Sequence, residues 1–208
     1  MRWLGTSFRK HHIEMRKQIA NLTSNILNPF LVSLVVVLLL SFGSTSSTLD
    51  ALKWSLILIA VSILPVFSVI LYLARHGRIE SIFTNIRRER TKIYVVASVC
   101  AGASCVILHY LEAPLVLVAT SVAGLSAVVL FMGVNLWWKI SLHTAFIAAS
   151  VTLLVILYES IAVVTVVLLP LVAWSRIELE HHSAAQAVIG ALLAASIVVV
   201  VFYLFGLV

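Results

Sequence analysis

The sequence has very little charge for its length. Charged residues make up only 11% of the 208 positions, whereas apolar residues make up 62%. A soluble globular domain has about a quarter of its residues charged. The composition therefore excludes an ordinary soluble domain, and with it disordered, collagen-like and coiled-coil proteins. It leaves an integral membrane protein.

Cysteine is scarce as well. Cys100 and Cys105 lie together in one apolar run, and no cysteine spacing typical of a metal site occurs. We therefore expect no metal and no other cofactor. The sequence also has no fixed-period repeat and no low-complexity linker. The first long apolar run starts near residue 29, which is too deep for an ordinary cleaved signal peptide.

Long apolar runs dominate the rest of the chain. A bilayer core is about 30 Å thick and is crossed by roughly 20 apolar residues of helix. Period-2 alternation is absent, so the runs favour helices, which satisfy all their backbone polar groups internally. We predict an all-α, polytopic membrane bundle of about six to seven transmembrane helices. The segments are 26–43, 52–74, 93–111, 114–138, 141–157, 160–174 and 185–207.

Two local features refine this organisation. Residues 158–160 form a short polar break between the fifth and sixth segments, which indicates a helical hairpin. Residues 1–25 form a separate basic N-terminal segment with five cations. This segment predicts either an interfacial amphipathic helix or a frayed basic leader. Residues 26–208 are then one transmembrane domain.

The cations are distributed unevenly across the predicted topology. Seven spans place the N-terminus, the 75–92 loop, the 139–140 junction and the 175–184 loop on one face, and Lys53 is the only Lys or Arg elsewhere. Cytoplasmic loops carry the excess of Lys and Arg, so we predict that this face is cytoplasmic. A net charge of +6 then reflects topology and site chemistry, and a nucleic-acid partner is not expected.

Three polar clusters lie on this same predicted face. They are the arginine-rich loop 78–92, the stretch 139–144 and the stretch 175–186. Guanidinium groups bind phosphate oxygens in a bidentate fork. A histidine is able to serve as a nucleophile or as an acid in phosphoryl transfer. The clusters therefore predict a phosphate site at the mouth of the bundle.

The order of these clusters resembles the type 2 phosphatidic acid phosphatase superfamily, over about residues 75–205. Ser175-Arg176-x5-His182-x3-Gln186 is similar to its third motif, Ser-Arg-x5-His-x3-Asp, and Ser141-Leu142-His143 to its second, Pro-Ser-Gly-His. The arginine-rich loop occupies the place of the first motif, Lys-x6-Arg-Pro. Phe83 stands where that lysine is expected, and Thr91 replaces the proline.

The resemblance implies a role for each matching residue. His182 would be the nucleophile that forms a phospho-histidine, and His143 the acid that protonates the leaving oxygen. Gln186 would orient His182. The phosphate-binding residues would be Arg176, Arg90, Arg87 and Ser141.

Two departures from the motifs bear on activity. Leu142 replaces a glycine and is expected to crowd the phosphate. Gln186 replaces the aspartate and supplies no negative charge for a developing imidazolium. Glu178 and Glu180 are candidates to compensate.

The expected function is that of an integral-membrane hydrolase, a lipid phosphatase in a prokaryotic plasma membrane with its site on the cytoplasmic side. Its substrate would be a lipid phosphate or a prenyl phosphate or diphosphate, and its other partners membrane lipids. One alternative is a non-catalytic lipid-phosphate-binding protein, which Leu142 and Gln186 favour. A transporter is disfavoured, because His109 is the only ionisable residue deep in a span. Each histidine and arginine also has a structural interpretation as a buried or headgroup-binding residue.

Overall fold

The protein is a bundle of helices in the part of the chain that the structure describes. The computed structural model describes the backbone of residues 3–80 and 86–208, and the side chains of residues 12–80 and 86–208. Residues 81–85 of the arginine-rich loop, with Phe83, and the side chains of Arg2, Arg9 and Lys10 lie outside these ranges. In chain order the helices are α1 (Trp3–Ile26), α2 (Pro29–Ser44), α3 (Thr48–Leu58), α4 (Leu64–Arg75), α5 (Arg87–Tyr110), α6 (Leu115–Asn135), α7 (Leu142–Tyr158), α8 (Leu168–Glu178) and α9 (Ala184–Leu204).

The predicted all-α class is confirmed. Within the described residues, five helical runs are long and apolar enough to cross a membrane, and a sixth is added when α1 and α2, bent by 43°, count as one span. A π-helical turn, Ile59–Ile63, joins α3 to α4, and a 3₁₀ segment, Glu159–Val167, joins α7 to α8. The number is lower than the seven segments expected because Leu142–Glu178, which covers the fifth and sixth of them, counts as one helical run of 37 residues.

That run nevertheless reverses direction, as the predicted hairpin requires. Glu159 has φ of 53° and ψ of −133°, outside the helical region. Ile147 and Val151 of α7 share one buried cluster with Val172 of α8. In a straight helix the 25 residues from Ile147 to Val172 would span about 37 Å, so the two arms lie side by side. The ends of the arms, His143 and Arg176, are thereby brought to the same end of the bundle.

The basic N-terminal segment is helical from Trp3 onward and is docked through its described side chains, so this part of it is not frayed. Helix α1 packs along α8, with Ala20 and Ser24 buried. Arg16 forms an ion pair of 2.6 Å with Glu178, and Lys17 one of 3.3 Å with Glu180. The segment that sequence analysis set apart from the bundle is therefore in contact with one of its polar clusters.

A close contact between α7 and α9 fixes the start of α7. A Cβ atom at Gly190 would lie 2.5 Å from Cγ2 of Ile140 and 3.1 Å from the carbonyl oxygen of Ser141. Glycine is therefore required for this approach. The backbone N–H of Ser141 donates to the carbonyl of Gln186 at 3.3 Å. These contacts hold the second and third sequence motifs against each other.

Candidate active site

A cavity of about 360 Å³ lies between α2, α4, α5, α6, α7 and α9. Ligand pockets typically have volumes of about 300–1,000 Å³. Its charged and titratable lining residues come from the ends of α5, α7 and α8 and from the turn before α9: Arg90, Tyr94, His143, Arg176 and His182. The described residues that line the cavity include no Asp or Glu. One part of the cavity is therefore cationic, and the remainder is almost entirely apolar.

His182 is held by Gln186, four residues further along the chain. The ring Nδ1 lies 3.1 Å from Oε1 of Gln186, and the backbone N–H of Ser183 donates to the same oxygen at 3.2 Å. Ser183 in turn caps α9 by accepting the backbone N–H of Gln186. The capping box of α9 thus places the amide side chain against the imidazole.

This geometry defines the tautomer of His182. A backbone N–H always donates, so the atom of Gln186 that it faces is the carbonyl oxygen. An amide oxygen only accepts, so Nδ1 of His182 carries the proton and donates it. In the neutral ring Nε2 then bears the lone pair. The arrangement leaves a nucleophilic nitrogen on a ring that lines the cavity.

The surroundings of His182 keep its ring neutral. Burial is the main cause, and the nearby charges of Lys139, Arg176 and Arg90 add to it, lowering the pKa of His182 from 6.5 to about 3. Burial followed by Arg176 and Lys139 also lowers the pKa of His181. The pKa of Lys139 is itself lowered by burial and by Arg90 and Arg176. Like charges crowded in this way favour the binding of an anion.

Arg176 is buried at the end of α8 and is 4% exposed. Its Nη1 donates a 2.7 Å hydrogen bond to Oγ of Ser24 in α1. Within the described part of the chain, its Nε has no hydrogen-bond partner. A buried guanidinium with an unsatisfied N–H has capacity for one more acceptor.

Arg90 is also 4% exposed and enters the cavity from the first turn of α5. Its Nη2 donates to the carbonyl of Ile140 at 2.9 Å and to the hydroxyl of Tyr94 at 3.2 Å. Tyr94 follows Arg90 by four residues, which places both on one side of the helix. Tyr94 is not among the predicted site residues, although its spacing from Arg90 indicates that both face the same side of the helix.

His143 and Ser141 lie at the start of α7. Ser141 is the N-cap, and its Oγ accepts the backbone N–H of Thr144 at 3.5 Å. His143 is buried and lines the cavity together with Leu142. Ser141 is fully buried behind them and is not part of the described cavity wall.

Arg87 lies apart from the other predicted site residues. It is exposed, and its Nη1 donates to the carbonyl of Trp137, after the end of α6, at 3.1 Å. The structure therefore brings Arg90, Arg176, His143, His182 and its orienting Gln186 together, and it leaves Arg87 outside the cavity.

Glu178 and Glu180, expected as substitutes for the missing aspartate, are engaged elsewhere. Both form their ion pairs with α1. The described partner of Nδ1 in His182 is Gln186. The orienting group that the structure presents to His182 is therefore neutral.

Fold and site together define an α-helical bundle with several helices able to cross a membrane and a buried cationic pocket at one end. No family model, no curated protein and no solved structure matches this chain. The chemistry of the pocket and the motifs within it are therefore the features that bear on function.

Proposed function

We propose that the protein is an integral-membrane lipid phosphatase that hydrolyses a phosphate or diphosphate ester of an isoprenoid or glycerolipid through a phospho-histidine. The observation that carries this proposal is the division of one cavity into two chemical parts. Two buried arginines and two histidines lie in one part, and apolar side chains form the other. A lipid with an anionic head group matches these two parts, because its charged head fits the cationic part and its tail fits the apolar part.

The depth of the apolar part supports a lipid tail. Leu153 of α7 and Val198 of α9 both line the cavity. Leu153 follows His143 by ten residues, which corresponds to about 15 Å along a helix. That distance is about half of a 30 Å hydrocarbon core. A head group beside His143 would thus leave room for a substantial part of one chain inside the protein.

The cationic part supports phosphoryl transfer. Arg176 and Arg90 would bind the phosphate oxygens and stabilise the charge that they carry in the transition state. Nε2 of His182 would attack the terminal phosphorus while the bond from that phosphorus to the leaving oxygen breaks. This oxygen belongs to the lipid alcohol in a monophosphate and is the bridging oxygen in a diphosphate. His143 would give its proton to that oxygen. Water would then attack the phospho-histidine and release inorganic phosphate.

The site is proposed to face the cytoplasm of a prokaryotic cell. The cations that the positive-inside rule counts include Lys139 and Arg176, which lie at the same end of the bundle as His182. Substrates made in the cytosol, such as prenyl phosphates or diphosphates, would reach the site from this side.

The test is phosphate release by purified protein in detergent or liposomes containing EDTA. The panel includes a prenyl phosphate, a prenyl diphosphate, phosphatidate and phosphatidylglycerophosphate. We expect His182→Ala to abolish turnover, whereas His109→Ala, at an exposed position, serves as the matched control. Full activity in His182→Ala would refute the mechanism.

A second candidate is a lipid-phosphate-binding protein without turnover. It is favoured by the neutral Gln186 beside His182 and by the pairing of Glu178 and Glu180 with α1. This candidate predicts lipid-phosphate binding that is lost in Arg176→Ala, with no release of phosphate from any lipid of the panel.

A further inference from the structure

We propose that Ser24 of α1 is a positioning residue, which fixes Arg176 in the orientation that binds an oxyanion. The basic N-terminal helix is then a structural part of the site. This inference rests on the proposed function in that it assigns Arg176 to a phosphate. It adds a residue from a segment to which neither the motifs nor the cavity walls assign any role.

The contact itself is short and buried. Oγ of Ser24 accepts from Nη1 of Arg176 at 2.7 Å, and the two residues are 3% and 4% exposed. Hydrogen bonds from a charged donor are about twice as strong as neutral ones, and burial removes the competition of water. Ser24 therefore restricts the rotation of a long side chain that otherwise has many rotamers.

Helix α1 is held in place independently of this bond. Arg16, Ala20 and Ser24 are spaced by four residues and so lie on one face of the helix. Arg16 pairs with Glu178 at one end of this face, and Ala20 is fully buried in its middle. The hydroxyl of Ser24 is thus presented by a docked helix.

Which nitrogen of Arg176 donates to Ser24 determines which part of the guanidinium is left to bind an anion. Ser24 takes Nη1, and Nε has no partner within the described residues. Nε and Nη2 form the other edge of the guanidinium fork, and such an edge matches two oxygens of a phosphate. Ser24 therefore holds the guanidinium by one edge and leaves the second edge for the anion.

A purely structural role for Ser24 makes a different prediction. If its hydroxyl served only to dock α1, its loss would lower the thermal stability and leave the affinity of folded protein for an oxyanion unchanged. If Ser24 positions Arg176, loss of the hydroxyl lowers the affinity for an oxyanion while the protein remains folded. The two roles are separated by measuring binding and unfolding on the same samples.

The experiment is calorimetric titration of orthovanadate and of inorganic phosphate into purified full-length protein in detergent. We expect Ser24→Ala to weaken binding by about tenfold, the effect of one lost hydrogen bond to a charged group. Ser24→Thr keeps the hydroxyl and is expected to restore most of the affinity. Ser55→Ala is the matched control, because Ser55 is a buried serine of α3 that bonds to the carbonyl of Ala51.

A double-mutant cycle with Arg176→Lys completes the test. If Ser24 acts through Arg176, Ser24→Ala adds little to the loss already caused by Arg176→Lys. Equal affinity in wild type and Ser24→Ala, or additive losses in the cycle, would overturn the positioning role. If Ser24→Ala does not fold, the comparison of Ser24→Thr and Ser24→Gly replaces it, and equal affinity in that pair would again overturn the role.

The outcome also separates this inference from the proposed function. Wild-type protein that binds vanadate through Ser24 and Arg176 but hydrolyses no lipid phosphate would refute the phosphatase and support the positioning role. Wild-type protein that binds neither anion would overturn both. Turnover with unchanged anion affinity in Ser24→Ala would refute the role of Ser24 alone.

Discussion

Acidification is expected to destabilise the fold through His182, whether or not the protein is an enzyme. Burial and neighbouring cations lower the pKa of His182 from 6.5 to about 3 in the folded protein. Because the folded-state pKa is the lower one, the unfolded chain takes up the proton first as the pH falls. The stability linked to this ring is therefore complete above pH 6.5 and is lost progressively as the pH falls toward 3.

The magnitude follows from the same shift. Each pH unit between the two pKa values corresponds to about 1.4 kcal/mol. At a pH of about 5, roughly 1.5 units below the unfolded pKa, the free energy of unfolding is lower by about 2 kcal/mol than at a pH of about 8. For a chain of this size, such a change lowers Tm by several degrees.

The assay compares wild type with His182→Gln, whose side chain does not titrate. Thermal unfolding is followed by tryptophan fluorescence, since Trp54 is buried in the folded protein and unfolding exposes it. We expect the stability lost between a pH of about 8 and a pH of about 5 to be smaller in the variant by about 2 kcal/mol. Taking the difference removes the contribution of His181, which both proteins retain.

The reasoning would be refuted if wild type and His182→Gln lost the same stability on acidification. His109→Gln controls for removal of a histidine from an exposed position and is expected to follow wild type. A Tm of His182→Gln that is higher than that of wild type by the same amount at every pH would also contradict the reasoning. Proton linkage predicts a difference in how steeply the stability falls with pH.

Three further predictions concern the cavity. Gln186→Leu removes the acceptor for Nδ1–H of His182 and is expected to lower kcat by about tenfold; an unchanged kcat would show that the ring is oriented by other groups. Arg90→Lys loses the guanidinium group that contacts Ile140 and Tyr94. The KM of this variant for a lipid phosphate is expected to rise by about tenfold. The exposed Arg87→Lys should cause a much smaller rise, and equal effects would contradict the placement of Arg90 in the cavity. Gly124→Phe enlarges a residue that lines the cavity at a position where an added Cβ meets no atom within 4 Å. It should impair hydrolysis of long-chain phosphates more than that of a short soluble one, and parallel losses would argue against an internal tail site.

Composition was sufficient to predict the helical class and most of the apolar segments. The cost of unsatisfied backbone groups in lipid requires helices, and the thickness of the hydrocarbon core requires a run of apolar side chains in each of them. Both constraints act on each segment separately. The hairpin at residues 158–160 was predictable for the same reason, since a polar break within an apolar run marks a reversal. The number of separate spans was less predictable, because a 3₁₀ segment continues the helical hydrogen bonding past Glu159.

The site was predictable where a short spacing along the chain defines it. The i, i+4 relation of His182 and Gln186 brought their side chains together as expected. The choice between Arg87 and Arg90 depended on where α5 begins and which face it turns inward, and the arginine-rich loop gave no indication of either. The contact between Ser24 and Arg176 spans 152 residues. It arises from the docking of one whole helix on another, which no local pattern encodes.

The cavity lining combines two arginines with no carboxylate among its described residues, and this has a consequence for what happens after hydrolysis. If the protein hydrolyses a lipid phosphate as proposed, the described lining contains no group that repels the anion left after the alcohol departs, and every charged group there attracts it. Departure of inorganic phosphate would then be the slow step of the cycle. The rate of such a phosphatase would fall as the phosphate concentration on the side of the site rises, because the product would compete with the substrate for the two arginines.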